Sequence, residues 1–130
     1  MKINQASIKN TYCKHSKRMK KIEAIIRLSR FDKVRDALAD IGLNFFTLSE
    51  VKGFGLQQEE KLLYRGNAYE SDYIARLRLD IICEDDKVQA VIQAIMQAGR
   101  TGEVGDGKIA VYNIEQVLRI RTGEEGADAI

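Results

Sequence analysis

Histidine and cysteine are almost missing from this chain, with one His and two Cys in 130 residues. The single histidine, His15, falls in the expected N-terminal tail, so no Ser–His–Asp or Cys–His catalytic set can be built inside the domain. Cys13, His15 and Cys83 do not make a zinc ligand set. Two cysteines cannot build a disulfide scaffold, and a reducing cytoplasm is the simpler setting. Long apolar runs are absent too. No stretch nears the roughly 20 residues that a membrane helix needs, so the chain is not expected to be membrane-embedded. Acid is absent from residues 1–18, which carry Lys2, Lys9, Lys14, Lys17 and Arg18. That basic leader has no apolar h-region and so is not a secretory signal. It reads as a disordered tail or as a misjudged start, with Met19 the natural one; a weak transit-like segment is the alternative. Beyond it, 16 basic residues stand against 19 acidic ones. That mildly acidic balance argues against general nucleic-acid binding, which needs a basic face.

What is present suits one domain: 45% of the residues are hydrophobic and 31% charged. From Lys20, Ile22, Ala24, Ile26 and Leu28 alternate, which predicts a strand. Phe31, Val34, Leu38 and Ile41 then recur at helical spacing, with Ser29 and Asp32 spaced as a capping box and Gly42 as the stop. A second strand is expected around Phe45–Val51. Residues 53–72 show no period of either kind, and a stretch of that length inside a domain reads as a working loop. A second unit follows. Tyr73, Ala75, Leu77, Leu79, Ile81 and Cys83 alternate with Arg76, Arg78 and Asp80, a half-buried strand with a charged outer face. Glu84, Asp85 and Asp86 lie where a helix start favours negative charge. Val88, Val91, Ile92 and Ile95 form the stripe of a helix ending at Gly99, and strands are expected at Lys108–Tyr112 and Val117–Arg121.

The order predicts an α+β, ferredoxin-like βαββαβ sandwich. Its two helices cover one face of the sheet, so the other face is expected to meet further copies of the chain.

The most informative segment chemically is Gly102–Lys108, GEVGDGK. It has the spacing of a phosphate-binding loop, but Ile109 stands where Ser or Thr would bind magnesium. The segment also follows a helix and opens a strand, the reverse of a P-loop. A nest of backbone N–H groups beside a lysine still suits an anion; the glycines alone read as readily as a flexible turn. Arg119 and Arg121 alternate on the expected last strand. Arginine suits phosphate because its planar fork donates two parallel hydrogen bonds, although two such residues on a strand face are also ordinary solvated charge.

The string TGEVGDGKIAVYNIEQVLRIRTGEEGADAI resembles the C-terminal part of the P-II signal-transduction family, with its B-loop (about 100–108) and its C-loop and tail (about 119–130). EVKGFG at Glu50–Gly55 is similar to the entry of that family's T-loop (about 53–72). Tyr64–Tyr69 is similar to the loop's tip, and MKKIEAII from Met19 matches the family's opening. The likeness covers residues 19–130 without a gap. It implies a cytoplasmic homotrimer that binds ATP or ADP between subunits and regulates other proteins. Gly105, Asp106, Gly107 and Lys108 would hold nucleotide, with Arg119 and Arg121 reaching from the neighbouring chain. Thr47 matches an adenine contact, and Gly53 and Gly55 lie at the T-loop base. Gln57 matches the residue that helps hold Mg²⁺ and 2-oxoglutarate. Arg65 matches an arginine that contacts an ammonium channel, and Tyr69 a tyrosine that some bacteria uridylylate.

Departures from the family pattern bear on the second effector and the partner. Arg76 replaces the lysine that pairs with 2-oxoglutarate. Leu56 and Gln58 replace basic neighbours of Gln57, Asn67 and Ala68 alter the residues before Tyr69, and Glu103 and Ala110 depart within and just after the B-loop. Two versions of the regulator stay open. One reads ATP with 2-oxoglutarate and controls an ammonium channel or a nitrogen-metabolism enzyme. The other senses nucleotide alone and serves a different transporter or enzyme. A weak ATPase activity is the most catalysis expected. An RNA-binding domain of the same strand order would stack bases on strand aromatics, and the outer face of Tyr73–Cys83 shows Ile74, Arg76, Arg78 and Asp80 instead.

Overall fold

Alternation and helical spacing resolve into a four-stranded antiparallel sheet with two helices on one face. The computed structural model describes residues 18–55 and 73–130. The leader and the expected T-loop beyond Gly55, with Gln57, Arg65 and Tyr69, lie outside the described residues. The elements are β1 (Met19–Ile26), α1 (Phe31–Asp40), β2 (Thr47–Gly53), β3 (Ile74–Glu84), α2 (Val88–Gly99) and β4 (Lys108–Ile114). In space the strands run β2-β3-β1-β4, the ferredoxin-like βαββαβ order.

Register makes the core. Ile22 lies opposite Ile81, Ala24 opposite Leu79 and Ile26 opposite Leu77, all on one face. Against them pack Val34 and Leu38 of α1 and Val88, Val91 and Ile95 of α2. Ile22, Val34, Leu38, Leu79 and Ile81 are wholly buried. Because strand side chains alternate, the same register places Lys21, Glu23, Arg78 and Asp80 on the opposite face. There Asp80 lies 3.4 Å from Lys21 and 3.2 Å from Arg78, and Lys21 stands over the Tyr112 ring at 5.5 Å. No helix covers this face among the described residues.

Helix α1 ends as its sequence predicts. Gly42 adopts φ +84°, with its N–H to Ala39 O at 3.0 Å and Leu43 N–H to Leu38 O at 3.0 Å. That is the paired-bond glycine stop, and Leu43 packs on the core beneath it. The start of α1 differs from expectation. Leu28–Arg30 forms a 3₁₀ turn that runs straight into the helix, and no side chain caps it. Ser29 falls inside that turn, so no capping box forms; Asp32 pairs instead with Arg35 at 3.4 Å. Strand β2 begins at Thr47, later than expected, and just before it Phe46 packs on the core and meets Phe31 edge-on, ring centroids 6.3 Å apart.

The expected strand at Val117–Arg121 is a correction. Only a single bridge, Leu118 to Glu125, forms there. The chain folds back on itself, with Gly123 N–H to Arg119 O at 2.7 Å and Arg119 N–H to Glu124 O at 2.9 Å. Gly123 at φ +75° permits that tight reversal. Arg119 therefore opens a turn and Arg121 lies within it, and the two do not share a strand face.

Candidate functional site

Between α2 and β4 the loop 100–107 bends through three glycines with positive φ: Gly102 at +90°, Gly105 at +100° and Gly107 at +103°. Gly107 has a second reason to be glycine. A Cβ there would stand 1.7 Å from the Ile25 carbonyl oxygen, so the loop crosses β1 at backbone contact distance.

Asp106 holds the loop together. Its carboxylate accepts the Thr101 N–H and the Gly102 N–H, each at 2.9 Å, and a short bond from the Thr101 hydroxyl. Arg27 Nε donates to the same carboxylate at 2.9 Å. Arg27 first, then Thr101, holds the Asp106 carboxyl well below the usual carboxylate range. Both of its oxygens are committed within the protein. Asp106 is thus a pin of the loop, whereas the resemblance grouped it with the nucleotide contacts.

Arginines from outside the loop take its carbonyls. Arg27 Nη2 donates to Val104 O at 2.8 Å, Arg30 Nη2 to Arg100 O at 2.6 Å and Arg76 Nη2 to Gly105 O at 3.0 Å. Arg76 also donates Nη1 to Ala75 O at 2.9 Å. Partial burial, then the charge of Arg27, lower the Arg76 guanidinium's affinity for its proton; an arginine stays charged at any working pH all the same. A Cβ on Gly105 would lie 3.1 Å from Arg76 Nη2 and 3.3 Å from Arg27 Nη2, so the two guanidiniums flank that glycine. Neither Arg27 nor Arg30 was singled out from the sequence, because nothing local marks a base at a strand end as a partner of a loop 70 or more residues away.

The other expected site residues divide into near and far. Lys108 opens β4 in register with Ile25, beside the loop, exposed and without an ion pair among the described residues. Gly53 ends β2 opposite Ile74, near Arg76, and Gly55 follows it. Thr47 begins the same strand and bonds Asp80 O at 3.5 Å. Six residues of strand put it about 20 Å from Gly53, at the far end of the sheet. Arg119 is held by Glu124 at 3.4 Å and donates to Ile130 O at 3.1 Å. Arg121 is exposed in the turn. No hydrogen bond or ion pair joins either arginine to the loop among the described residues.

A groove of about 380 Å³ runs beneath the loop, between α2 and β4, lined by Ile92, Ile95, Met96, Ile109 and Val111 with Gly107 and Asp106 at its rim. It opens on the helix side of β4, and Lys108 belongs to the other face. The groove and the lysine do not form one site. Among the described residues no cluster of His, Cys, Asp and Glu could hold a metal ion, and no helix is long and apolar enough to cross a membrane.

Comparison with known proteins points one way. The family model described as nitrogen regulatory protein P-II matches residues 19–124. A curated relative of that name from Pasteurella multocida is 49% identical over 112 residues, 86% of this chain and the whole of its own length. Another, from Rhodospirillum rubrum, is 51% identical over the same span. Among solved structures, Arabidopsis thaliana PII bound to citrate superposes with a TM-score of 0.73 at 38% identity, covering 87% of this chain and 92% of its own.

Proposed function

The chain belongs to the nitrogen regulatory protein P-II family, a family of signal-transduction regulators, and from that premise we propose that it is a cytoplasmic homotrimer sensing ATP or ADP at sites completed between subunits. The observation that carries this reading is a division within one chain. The loop 100–107 is fully shaped, with Lys108 at its edge, yet among the described residues neither Arg119 nor Arg121 bonds to it and Thr47 lies at the other end of its strand. A second copy would bring such groups to the loop. Gly105, Gly107 and Lys108 would take phosphate oxygens, Arg119 and Arg121 of a neighbouring copy would neutralise them, and Thr47 would face the base. Arg119 would first have to release Glu124. Mg²⁺ would arrive with the nucleotide, with Gln57 completing its shell of oxygen ligands. Slow ATP hydrolysis would be incidental to binding, and regulation would act through contact of the T-loop, including Arg65, with a transporter such as an ammonium channel or a nitrogen-metabolism enzyme. Tyr69 is the candidate for covalent modification.

A second version, sensing nucleotide alone, is favoured by one observation: Arg76, the expected partner of a 2-oxo acid, already donates to Gly105 O and Ala75 O. Against it stands the Arabidopsis relative bound to citrate, a polycarboxylate. Calorimetry with ATP and Mg²⁺, with and without millimolar 2-oxoglutarate, separates the two. For the nucleotide site itself, Lys108→Ala and Arg121→Ala are each expected to weaken ATP binding roughly ten- to a hundredfold, the usual cost of a charge-assisted hydrogen bond. Parent-like affinity in both variants, or a stable monomer in the ultracentrifuge that binds ATP tightly, would sink the reading.

A further inference from the structure

An anion nest works only if its N–H groups converge while its carbonyls are turned away and satisfied. Loop 100–107 meets the second condition with donors from elsewhere in the chain. Val104 O and Gly105 O, at the apex, are taken by Arg27 and Arg76 at 2.8 and 3.0 Å. Arg27 does more. The same guanidinium reaches Asp106 at 2.9 Å, and Asp106 in turn gathers the amides of Thr101 and Gly102. A carboxylate inside an anion-binding loop would repel the ligand; paired with Arg27 its charge is neutralised where it stands.

We infer that Arg27 is a positioning residue of the nucleotide site: acting through Asp106 and Val104, it keeps the loop in its anion-binding shape before any ligand arrives. This rests on the reading that the loop takes nucleotide phosphate. Arg27 sits immediately after β1 and before the 3₁₀ turn Leu28–Arg30, whose Arg30 holds the start of the loop at Arg100 O. The β1–α1 junction thus grips the loop at its start, its apex and its pin. A planar fork serves Asp106 and Val104 O from two nitrogens, Nε and Nη2, held fixed in relation to one another. A lysine has a single ammonium on a flexible stem and lacks that fixed pair.

The test uses the full chain, ATP and the variants Arg27→Met, Arg27→Lys and Asp106→Asn. Arg27→Met is expected to weaken ATP binding roughly ten- to a hundredfold, as loss of bonds to a charged group does. Asp106→Asn should do likewise, and the double variant should be no worse than the weaker binder of the two, since both disrupt one unit. Adding Lys108→Ala should multiply the loss, because that residue would meet the ligand directly. Hydrogen exchange without nucleotide gives an independent readout. The Thr101 and Gly102 amides should exchange faster in Arg27→Met while those of α2 keep their protection. If the methionine variant does not fold, Arg27→Lys takes its place and is expected to loosen the same two amides.

Unchanged loop protection, parent-like ATP affinity, or strictly additive losses for Arg27→Met and Asp106→Asn would overturn the assignment. A parent chain that binds no ATP would instead defeat the nucleotide reading, and loop exchange would then decide the role of Arg27 by itself.

Discussion

The two glycines Gly102 and Gly107 have similar backbone angles and different surroundings. A methyl at Gly102 meets nothing within 4 Å, so Gly102→Ala is expected to cost only the left-handed backbone term, about 1–2 kcal/mol. At Gly107 the added Cβ would overlap the Ile25 carbonyl, and Gly107→Ala should cost roughly 2–4 kcal/mol because β1 or the loop must shift. Urea denaturation of both variants measures the difference. Asp106 predicts a pH response of definite sign. Its folded pKa lies below the ordinary value of 3.8, so its contribution is fully present above about pH 4. That contribution is lost only as pH falls through the lower folded value. The Thr101 and Gly102 amide resonances should therefore hold steady from pH 8 to about 4, and Asp106→Asn should move both at neutral pH.

Among the elements, α1 separates what a local pattern implies from what forms. Ser29 and Asp32 have capping-box spacing, yet the 3₁₀ turn occupies the place where a cap would sit. Ser29→Ala is accordingly expected to change stability by less than about 0.5 kcal/mol, as at an ordinary surface position, where loss of a working cap costs about 1 kcal/mol. On the inner face of the same helix, Leu38 is wholly buried, and Leu38→Ala should cost about 3 kcal/mol. Thermal or chemical melts of the pair test whether α1 is held by packing or by its end. The sheet makes the same point. Cys83 continues the buried side of β3, and burial raises its thiol pKa, so the native thiol should react slowly with an exposed-thiol reagent and fully on unfolding.

For the whole molecule, the uncovered sheet face is the deciding feature. It mixes charge with apolar side chains: Asp80 lies between Lys21 and Arg78, and Ile74, Ile82 and Tyr112 are exposed on the same side. On a face open to water such pairs are worth little, about 0–1 kcal/mol. Between copies, losing the acid would leave two cations without a partner in a drier setting. In the proposed trimer Asp80→Ala is therefore expected to shift sedimentation toward smaller species at low protein concentration, with little change in the helical circular dichroism of the chain. Sedimentation like the parent's would place this face outside the subunit contacts.

The strands, the helices and their order were legible because each rests on a period of two or of 3.6 within a dozen residues. The buried set Ile22, Ala24, Leu79, Ile81, Val34, Leu38, Val91 and Ile95 follows from those periods alone. The glycine stop at Gly42 and the GEVGDGK loop were legible too, since glycine marks backbone that other residues resist. What the tertiary structure alone decided is non-local. Arg27 and Asp106 are 79 positions apart, and Arg76 and Gly105 are 29 apart. Only the antiparallel register, which sets Ile25 beside both Arg78 and Lys108, brings those groups together. The expected last strand became a turn because its backbone groups bond back on the same segment, Gly123 N–H to Arg119 O and Arg119 N–H to Glu124 O. A periodic pattern reports which face is buried; which charged group meets which carbonyl depends on where the strands lie in space.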